Sequence, residues 1–230
     1  MKVSVVIPVF NEADNIPILS SELSRISNPS HSFEFLFVDD GSTDRTWVEI
    51  QTTSKSNSAF VGARNPINRG QSAAMLLGFS RASGDIIVTM DGDLQNNPAD
   101  IPKLVQHLIE SNADVVCGIR TKRRDAWSRR IGSKIGNSIR NSITRDGLVD
   151  TGCSLKAFRR ECVKDIPTLH GAHRFMGAYF KLHGRKIEQL NVDHRPRTHG
   201  LSKYTNLKRL PKTAFDLIGF IWYRSRLIRD

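Results

Sequence analysis

Strands and helices alternate regularly along the first 120 residues, and this rhythm narrows the fold more than any single motif does. "KVSVVIPVF" is a short run dominated by β-branched residues and closed by Asn11, which predicts a buried strand. In "NIPILSSELSRI" the apolar residues Ile16, Leu19, Leu23 and Ile26 recur at spacings of 3, 4 and 3, the stripe of an amphipathic helix. "FEFLFVDDG", "AFVGARN", "DIIVTMDGD" and "DVVCGIR" read as four further strands. Between them lie the helical segments "STDRTWVEIQTTSK", "QSAAMLLGFSRA" and "DIPKLVQHLIE", the first opening on Ser/Thr/Asp cap candidates. Such alternation predicts an α/β fold, a mainly parallel sheet flanked by helices on both faces.

Open sheets of this class bind ligands beyond the carboxyl ends of their strands. Those ends carry "FNE", "DDGS", "RNPINRGQ", "DGDLQ" and "GIRTKRR", so chemistry is expected there. After residue 120 the rhythm breaks. A basic segment with Ile131, Ile135, Ile139 and Ile143 every four residues reads as helical in its later part. "DTGCSLKAFRRE" reads as a turn and short strand leading into a helix, "RFMGAYFKLHG" as a helix, and "KIEQLNVDHRPR" as a strand. The terminal "LKRLPKTAFDLIGFIWYRSRLIRD" is an amphipathic segment.

Charge divides the chain. Residues 1–115 hold 8 Lys/Arg against 14 Asp/Glu, and residues 116–230 hold 26 against 9. The basic part is expected to meet something anionic: nucleic acid, phosphate or a membrane surface. Nucleic acid is disfavoured, because acidic strand ends would repel a polyanion and no recognised nucleic-acid motif is present. Met1-Lys2 leads directly into a strand with no apolar leader, and the three cysteines have no metal-type spacing. Both features predict a reduced, cytoplasmic protein.

"IIVTMDGDLQNNP" carries the sharpest chemical signal. An apolar strand runs into Asp91 and Asp93, separated by a glycine, with Gln95 two residues on. A lone pair of this kind is as compatible with a helix cap or a solvated turn. At the end of a central strand, however, carboxylate and amide oxygens suit a hard divalent cation, Mg²⁺ or Mn²⁺. With so few protein ligands, such a cation completes its shell with water and substrate phosphates, which predicts a metal–diphosphate site.

"VVIPVFNE", "VDDGSTD", "NRGQSAAMLLGF", "GDIIVTMDGDLQNNP", "VVCGIRTKRR", "DTGCSLKAFRR" and "HGLSKY" follow one another in an order that is specific where each alone would be weak. Together they resemble the family-2 glycosyltransferases, in particular the polyprenyl-phosphate (dolichyl-phosphate) sugar synthases, over nearly the whole chain. The resemblance implies a GT-A fold in one domain, residues 1–230. Within it, 1–120 would form a nucleotide-sugar-binding half, 121–206 an acceptor-binding half and 207–230 an interfacial amphipathic segment. It implies metal-dependent, inverting transfer of a sugar from a UDP- or GDP-sugar to a polyprenyl phosphate.

Position by position, the resemblance assigns Pro8, Val9, Glu12, Asp39, Asp40 and Gln71 to the nucleotide sugar. Asp91, Asp93 and Gln95 match its metal-and-diphosphate motif. Arg120 and Arg130 fall where family arginines hold the lipid phosphate, with Ser133 in the same groove. Lys203 of "HGLSKY" falls near the phosphates of donor and acceptor. Asp93, Arg120, Arg130 and Asp150 are thus the expected catalytic set, Asp150 orienting a substrate hydroxyl or a phosphate-binding residue. One segment departs from the family pattern: where many relatives read D-x-G-x-F-R-L, this chain reads "DTGCSLK", leaving open whether Lys156 replaces the arginine.

A phosphate oxygen is already ionised near neutral pH and needs no strong general base. No Ser-His-Asp or Cys-His pattern suggests covalent catalysis. The longest apolar stretch near the end, "LIGFIWY", is far below the ~20 residues of a spanning helix. Basic residues, Trp222 and Tyr223 surround or close it, which predicts peripheral attachment to the cytoplasmic membrane face. A core-packing terminal helix is the alternative, and a membrane-protein partner or homo-oligomer is a further option. The competing enzymatic reading is a family-2 transferase acting on a hydroxyl of a glycan or small molecule, which would want a carboxylate base.

Overall fold

A computed structural model describes residues 1–26, 30–121, 140–196 and 206–228, the last with side chains from 214 onward. The expected alternation is present. It runs β1 (Lys2–Val9), α1 (Asn15–Leu23), β2 (Ser32–Asp39), α2 (Thr46–Ser56), β3 (Phe60–Arg64), α3 (Gln71–Arg81), β4 (Ile86–Thr89), α4 (Ile101–Glu110) and β5 (Val115–Arg120). After it come β6 (Lys156–Arg159), α5 (Met176–Leu182), β7 (Ile187–Val192) and α6 (Asn206–Arg226).

Seven strands form one sheet in the order β3-β2-β1-β4-β6-β5-β7. β1 lies parallel between β2 and β4, β2 pairs with β3, and β5 pairs with β7, all parallel. β6 is antiparallel to both β4 and β5. It therefore wedges between two strands of the N-terminal part, and residue 120 marks no boundary within the sheet. A strand's sequence pattern reports burial on its two faces, not the identity of its neighbours, so this insertion is a tertiary fact.

Both faces are covered, as near-continuous apolar strands require. Val3, Val5 and Ile7 of β1 pack with Ile16, Leu19 and Leu23 of α1, Ile50 of α2 and the α4 residues Ile101, Leu104, Val105 and Leu108. Val6 points to the other face, toward Ala74, Met75 and Phe79 of α3 and the aromatic residues of α5. There Phe158 of β6 meets Phe79 edge-on at 5.7 Å and Phe180 at 5.2 Å. The expected helix after β6 is instead a 3₁₀ segment, Arg160–Asp165. Arg185 fastens its end by donating Nε to Asp165 at 2.6 Å.

The terminal helix combines the two readings offered by its sequence. Phe220 is 1% exposed and stacks on Phe175 at 5.7 Å, and Tyr179 packs against both Phe220 and Tyr223. On the opposite side Phe215, Ile218 and Trp222 are 76%, 63% and 60% exposed. Residues 215, 218 and 222 follow the i, i+3, i+7 spacing of a single helical stripe. No described helix is long and apolar enough to cross a membrane.

Candidate active site

The carboxyl ends of β1, β2 and β4 meet at one edge. There the chain leaves β1 through Asn11, whose backbone adopts a left-handed φ of 51° that asparagine tolerates. Asn11 is tied across to the loop after β2: its N–H donates to Ser42 Oγ at 2.8 Å, and its Oδ1 accepts from Thr43 N at 2.9 Å. Glu12 N–H donates to Thr46 Oγ1 at 2.8 Å, and a Glu12 carboxylate oxygen accepts from Asn15 Nδ2 at 2.5 Å. Pro8 and Val9 form the last two residues of β1 itself.

Asp39 and Asp40 end β2 with different partners. Asp39 is buried, with one oxygen accepting from Ser42 N at 2.9 Å and the other paired to Arg64 Nε at 2.9 Å. The Arg64 guanidinium in turn lies over the Trp47 ring at 5.5 Å. Asp40 accepts from Asn65 Nδ2 at 2.8 Å, Arg69 N at 3.1 Å and Gly70 N at 2.7 Å. It therefore organises the loop that enters α3, while the first turn of α2 is served by Asp44, which accepts from Thr46 N at 2.9 Å. Gly41 makes this possible: its φ is +70°, and a Cβ there would lie 2.4 Å from the Ile67 carbonyl carbon.

The D-G-D-L-Q motif, expected to hold a metal, follows β4. Gly92 lets it pack against β1, since a Cβ would stand 2.4 Å from Val9 Cγ1. Leu94 is buried at φ 63°, a conformation costing a branched side chain ~1–2 kcal/mol. That reversal returns the Gln95 N–H to Asp93 Oδ1 at 3.2 Å. The Gln95 carbonyl accepts from Arg195 N at 2.8 Å, so the segment after β7 is stitched to the motif. Asp91 Oδ1 accepts from Gln71 Nε2 at 3.0 Å, which brings the first residue of α3 onto the motif.

Burial, followed by the neighbouring charge of Asp93, pushes Asp91 up to about 6, against the pull of Ser154, Lys156 and Arg120. A carboxyl pushed up beside a second carboxylate suits a divalent cation, and the donor set is hard oxygen. Among the described residues no cluster of three His, Cys, Asp or Glu side chains is available to a metal. A cation here would take the two aspartates and draw its remaining oxygens from Gln95, water or substrate.

Beside this edge, Arg120 at the end of β5 is clasped by Asp150. Nε donates to Oδ2 at 2.7 Å and an Nη to Oδ1 at 2.8 Å, a bidentate fork, and the Arg120 backbone N–H adds a third bond at 3.2 Å. The expected acceptor residues Arg130 and Ser133, and Lys203 of the polar loop, lie outside the described residues. The last described residues before that loop lie beside the Asp91–Gln95 segment, where Asn96 bridges to His194 and Arg195 binds Glu22 and Asn97.

Three contacts at the site escaped sequence reasoning. Ser154 hydrogen-bonds Asp91, and its Oγ accepts from Asn96 Nδ2 at 3.0 Å. His173 Nδ1 pairs with Ser72 Oγ at 2.7 Å, next to Gln71. Lys156 points its ammonium into the same neighbourhood, bonded to the Cys153 carbonyl. The partners are 58, 101 and 3 residues apart, and only the last had a local signal, the departure of "CSLK" from the family pattern.

Comparison with known proteins agrees with this arrangement. The sequence model of glycosyl transferase family 2 matches residues 4–167. A curated relative, the dodecaprenyl-phosphate galacturonate synthase of Rhizobium johnstonii, is 35% identical over 98% of this chain and 69% of its own length. Among solved structures, glucosyl-3-phosphoglycerate synthase of Mycobacterium tuberculosis with Mn²⁺, UDP and glucosyl-3-phosphoglycerate superposes with a TM-score of 0.75 at 19% identity, covering 100% of this chain and 81% of that one. The same enzyme with Mg²⁺ and UDP gives 0.74 at 19% identity and the same coverage. Family match, relative and shared architecture lead to one conclusion: the chain belongs to glycosyl transferase family 2 and is a glycosyltransferase of the GT-A fold.

Proposed function

We propose that the protein transfers a sugar, with inversion, from a nucleotide-diphosphate sugar to the phosphate of a polyprenyl lipid at the cytoplasmic face of a membrane. The observation that carries this reading is the pairing of two unlike charge sites at one sheet edge. Asp91 and Asp93 form an acidic place for a metal–diphosphate, and Arg120, pre-set by Asp150, offers its remaining guanidinium N–H groups to an incoming phosphate. The name of the galacturonate-transferring relative supports a polyprenyl phosphate acceptor and puts a UDP-uronate first among donors to test.

In this reading a lipid phosphate oxygen attacks the anomeric carbon, and the bond from that carbon to the diphosphate breaks. The nucleoside diphosphate leaves with the electron pair, so atoms and charge balance without a general base. Asp91 and Asp93, with Gln95, would hold Mg²⁺ or Mn²⁺, which neutralises charge developing on the departing diphosphate. Gln71 and Ser154 orient Asp91, and Asp150 orients Arg120 so that two phosphates are held together against their repulsion. Glu12, Asp39 and Asp40, with Pro8 and Val9, would frame the nucleoside on the same edge. Arg130, Ser133 and Lys203 would complete the phosphate site. The chain as one domain would then divide labour along its sequence, residues 1–120 serving mostly the donor and 121–206 the acceptor.

The exposed stripe of Phe215, Ile218 and Trp222 supports membrane contact, with basic residues of the same terminal segment facing anionic headgroups. The test is label transfer from UDP- and GDP-sugars into organic-extractable polyprenyl phosphate, with Mn²⁺, with EDTA and with Asp93→Ala. Label in the lipid phase only with metal and intact Asp93 is the expected result. Metal-dependent hydrolysis without lipid label would refute the acceptor.

A further inference from the structure

We propose that Lys156 is a positioning residue whose fixed positive charge makes cation binding at Asp91 and Asp93 depend on the nucleotide diphosphate. This rests on reading those carboxylates as the metal–diphosphate site. β6 runs antiparallel to β4 with Lys156 opposite Thr89. Carried two residues further, that register sets Ser154 opposite Asp91, and the hydrogen bond between them obeys it. Side chains alternate faces along a strand, so Thr89, Asp91, Ser154 and Lys156 share one face. Asp91 and Lys156 are then diagonal neighbours, about 7–8 Å apart or less.

Lys156 is 5% exposed and cannot swing into solvent. Its Nζ donates to the Cys153 carbonyl, and among the described residues no carboxylate lies within ion-pair distance of it. The turn that holds it is pinned to β4, where Thr89 Oγ1 donates to the Ser154 carbonyl at 2.6 Å. Burying an ammonium without a paired anion is costly. The anionic charge it acts on is that of the aspartate motif; the neighbouring thiols of Cys117 and Cys153, pushed up by burial, are neutral.

Two bare carboxylates would trap any divalent ion. A fixed ammonium beside them repels a lone cation and attracts the diphosphate that arrives with one. At an effective dielectric near 20 and this separation, the two effects change affinity about tenfold or more, in opposite directions. Lys156 thus biases the site toward the metal–nucleotide complex over the free ion.

The experiment measures Mn²⁺ binding alone and UDP or GDP binding in the presence of Mn²⁺, for wild type, Lys156→Met and Lys156→Arg. Lys156→Met is expected to bind Mn²⁺ alone at least about tenfold more tightly and the nucleotide with Mn²⁺ at least about tenfold more weakly, with Lys156→Arg restoring both. A merely structural role would weaken both together, and that result, or no change in either, overturns the proposal. Lys156→Gln keeps an N–H for the Cys153 carbonyl and carries the same readout if the Met variant does not fold. Wild-type protein that binds no Mn²⁺ even with UDP or GDP present, or Mn²⁺ binding indifferent to Asp93→Ala, refutes the metal site and this proposal with it. Mn²⁺ binding lost in Asp93→Ala but unchanged in Lys156→Met refutes Lys156 alone.

Discussion

The edge after β1 and β2 and the edge after β4 are both acidic, yet they are built on opposite principles. After β2, every aspartate is answered: Asp39 by Ser42 and Arg64, Asp40 by two backbone N–H groups and Asn65, Asp44 by the start of α2. After β4, Asp91 accepts from Gln71 and Asp93 from the Gln95 N–H, yet burial and the charge of Asp93 still push Asp91 up to about 6. Satisfied carboxylates shape loops. Carboxylates held close together on a rigid strand end are the arrangement the proposed cation site would use, and the strained Leu94 marks the same spot.

The largest break in that comparison should come from Asp93→Ala. It is expected to lower sugar transfer by ~10³-fold or more while leaving the melting temperature near wild type, because the repulsion it removes offsets the lost bond from the Gln95 N–H. Initial rates and a thermal melt check both halves. Next is Asp150→Ala, which frees Arg120 from its fork. A loss of ~10²-fold in transfer is expected with UDP affinity unchanged, since misplacing a positioning group costs that much. Equal losses in nucleotide binding would assign Arg120 to the donor instead.

The terminal helix offers a paired test. Phe220→Ala should destabilise the fold by about 3–5 kcal/mol through a core cavity. Trp222→Ala should leave stability within about 0.5 kcal/mol and weaken binding to anionic vesicles ~10-fold. The smallest effect lies away from the site, at Glu34. Burial pushes this carboxyl up, but hydrogen bonds from Lys2, Ser4 and Ser83 outweigh it and draw it down to about 2. A depressed carboxylate contributes stability above its unfolded value of 4.5, and loses that contribution as pH falls toward 2. Glu34→Gln should cost about 1 kcal/mol at pH 7, allowing for solvent screening, and flatten the acid limb of the stability profile.

Local patterns carried the first five strands and four helices, because burial on alternate or every-third-and-fourth positions is written in neighbouring residues. The D-G-D-L-Q motif was legible for the same reason. What sequence did not disclose is what the antiparallel β6 brings together: Ser154 against Asp91, and Lys156 beneath the motif. Register between strands about 70 residues apart is settled by packing, not by composition. His173 on Ser72 is a similar case, joined across 101 residues. Arg120 and Asp150 were each picked out from the family pattern, but their fork is visible only in the fold.

The most direct test of the central claim is a competition between two acceptors that differ only at the reacting end. The protein would be given labelled UDP-sugar, Mn²⁺ and vesicles holding equal amounts of a polyprenyl phosphate and the corresponding polyprenol. Label on the phosphate alone, lost with Asp93→Ala and sharply reduced with Asp150→Ala, is the predicted result. Label on the alcohol would contradict the account, because it would mean that the arginine fork does not select a phosphate and that a general base has yet to be found.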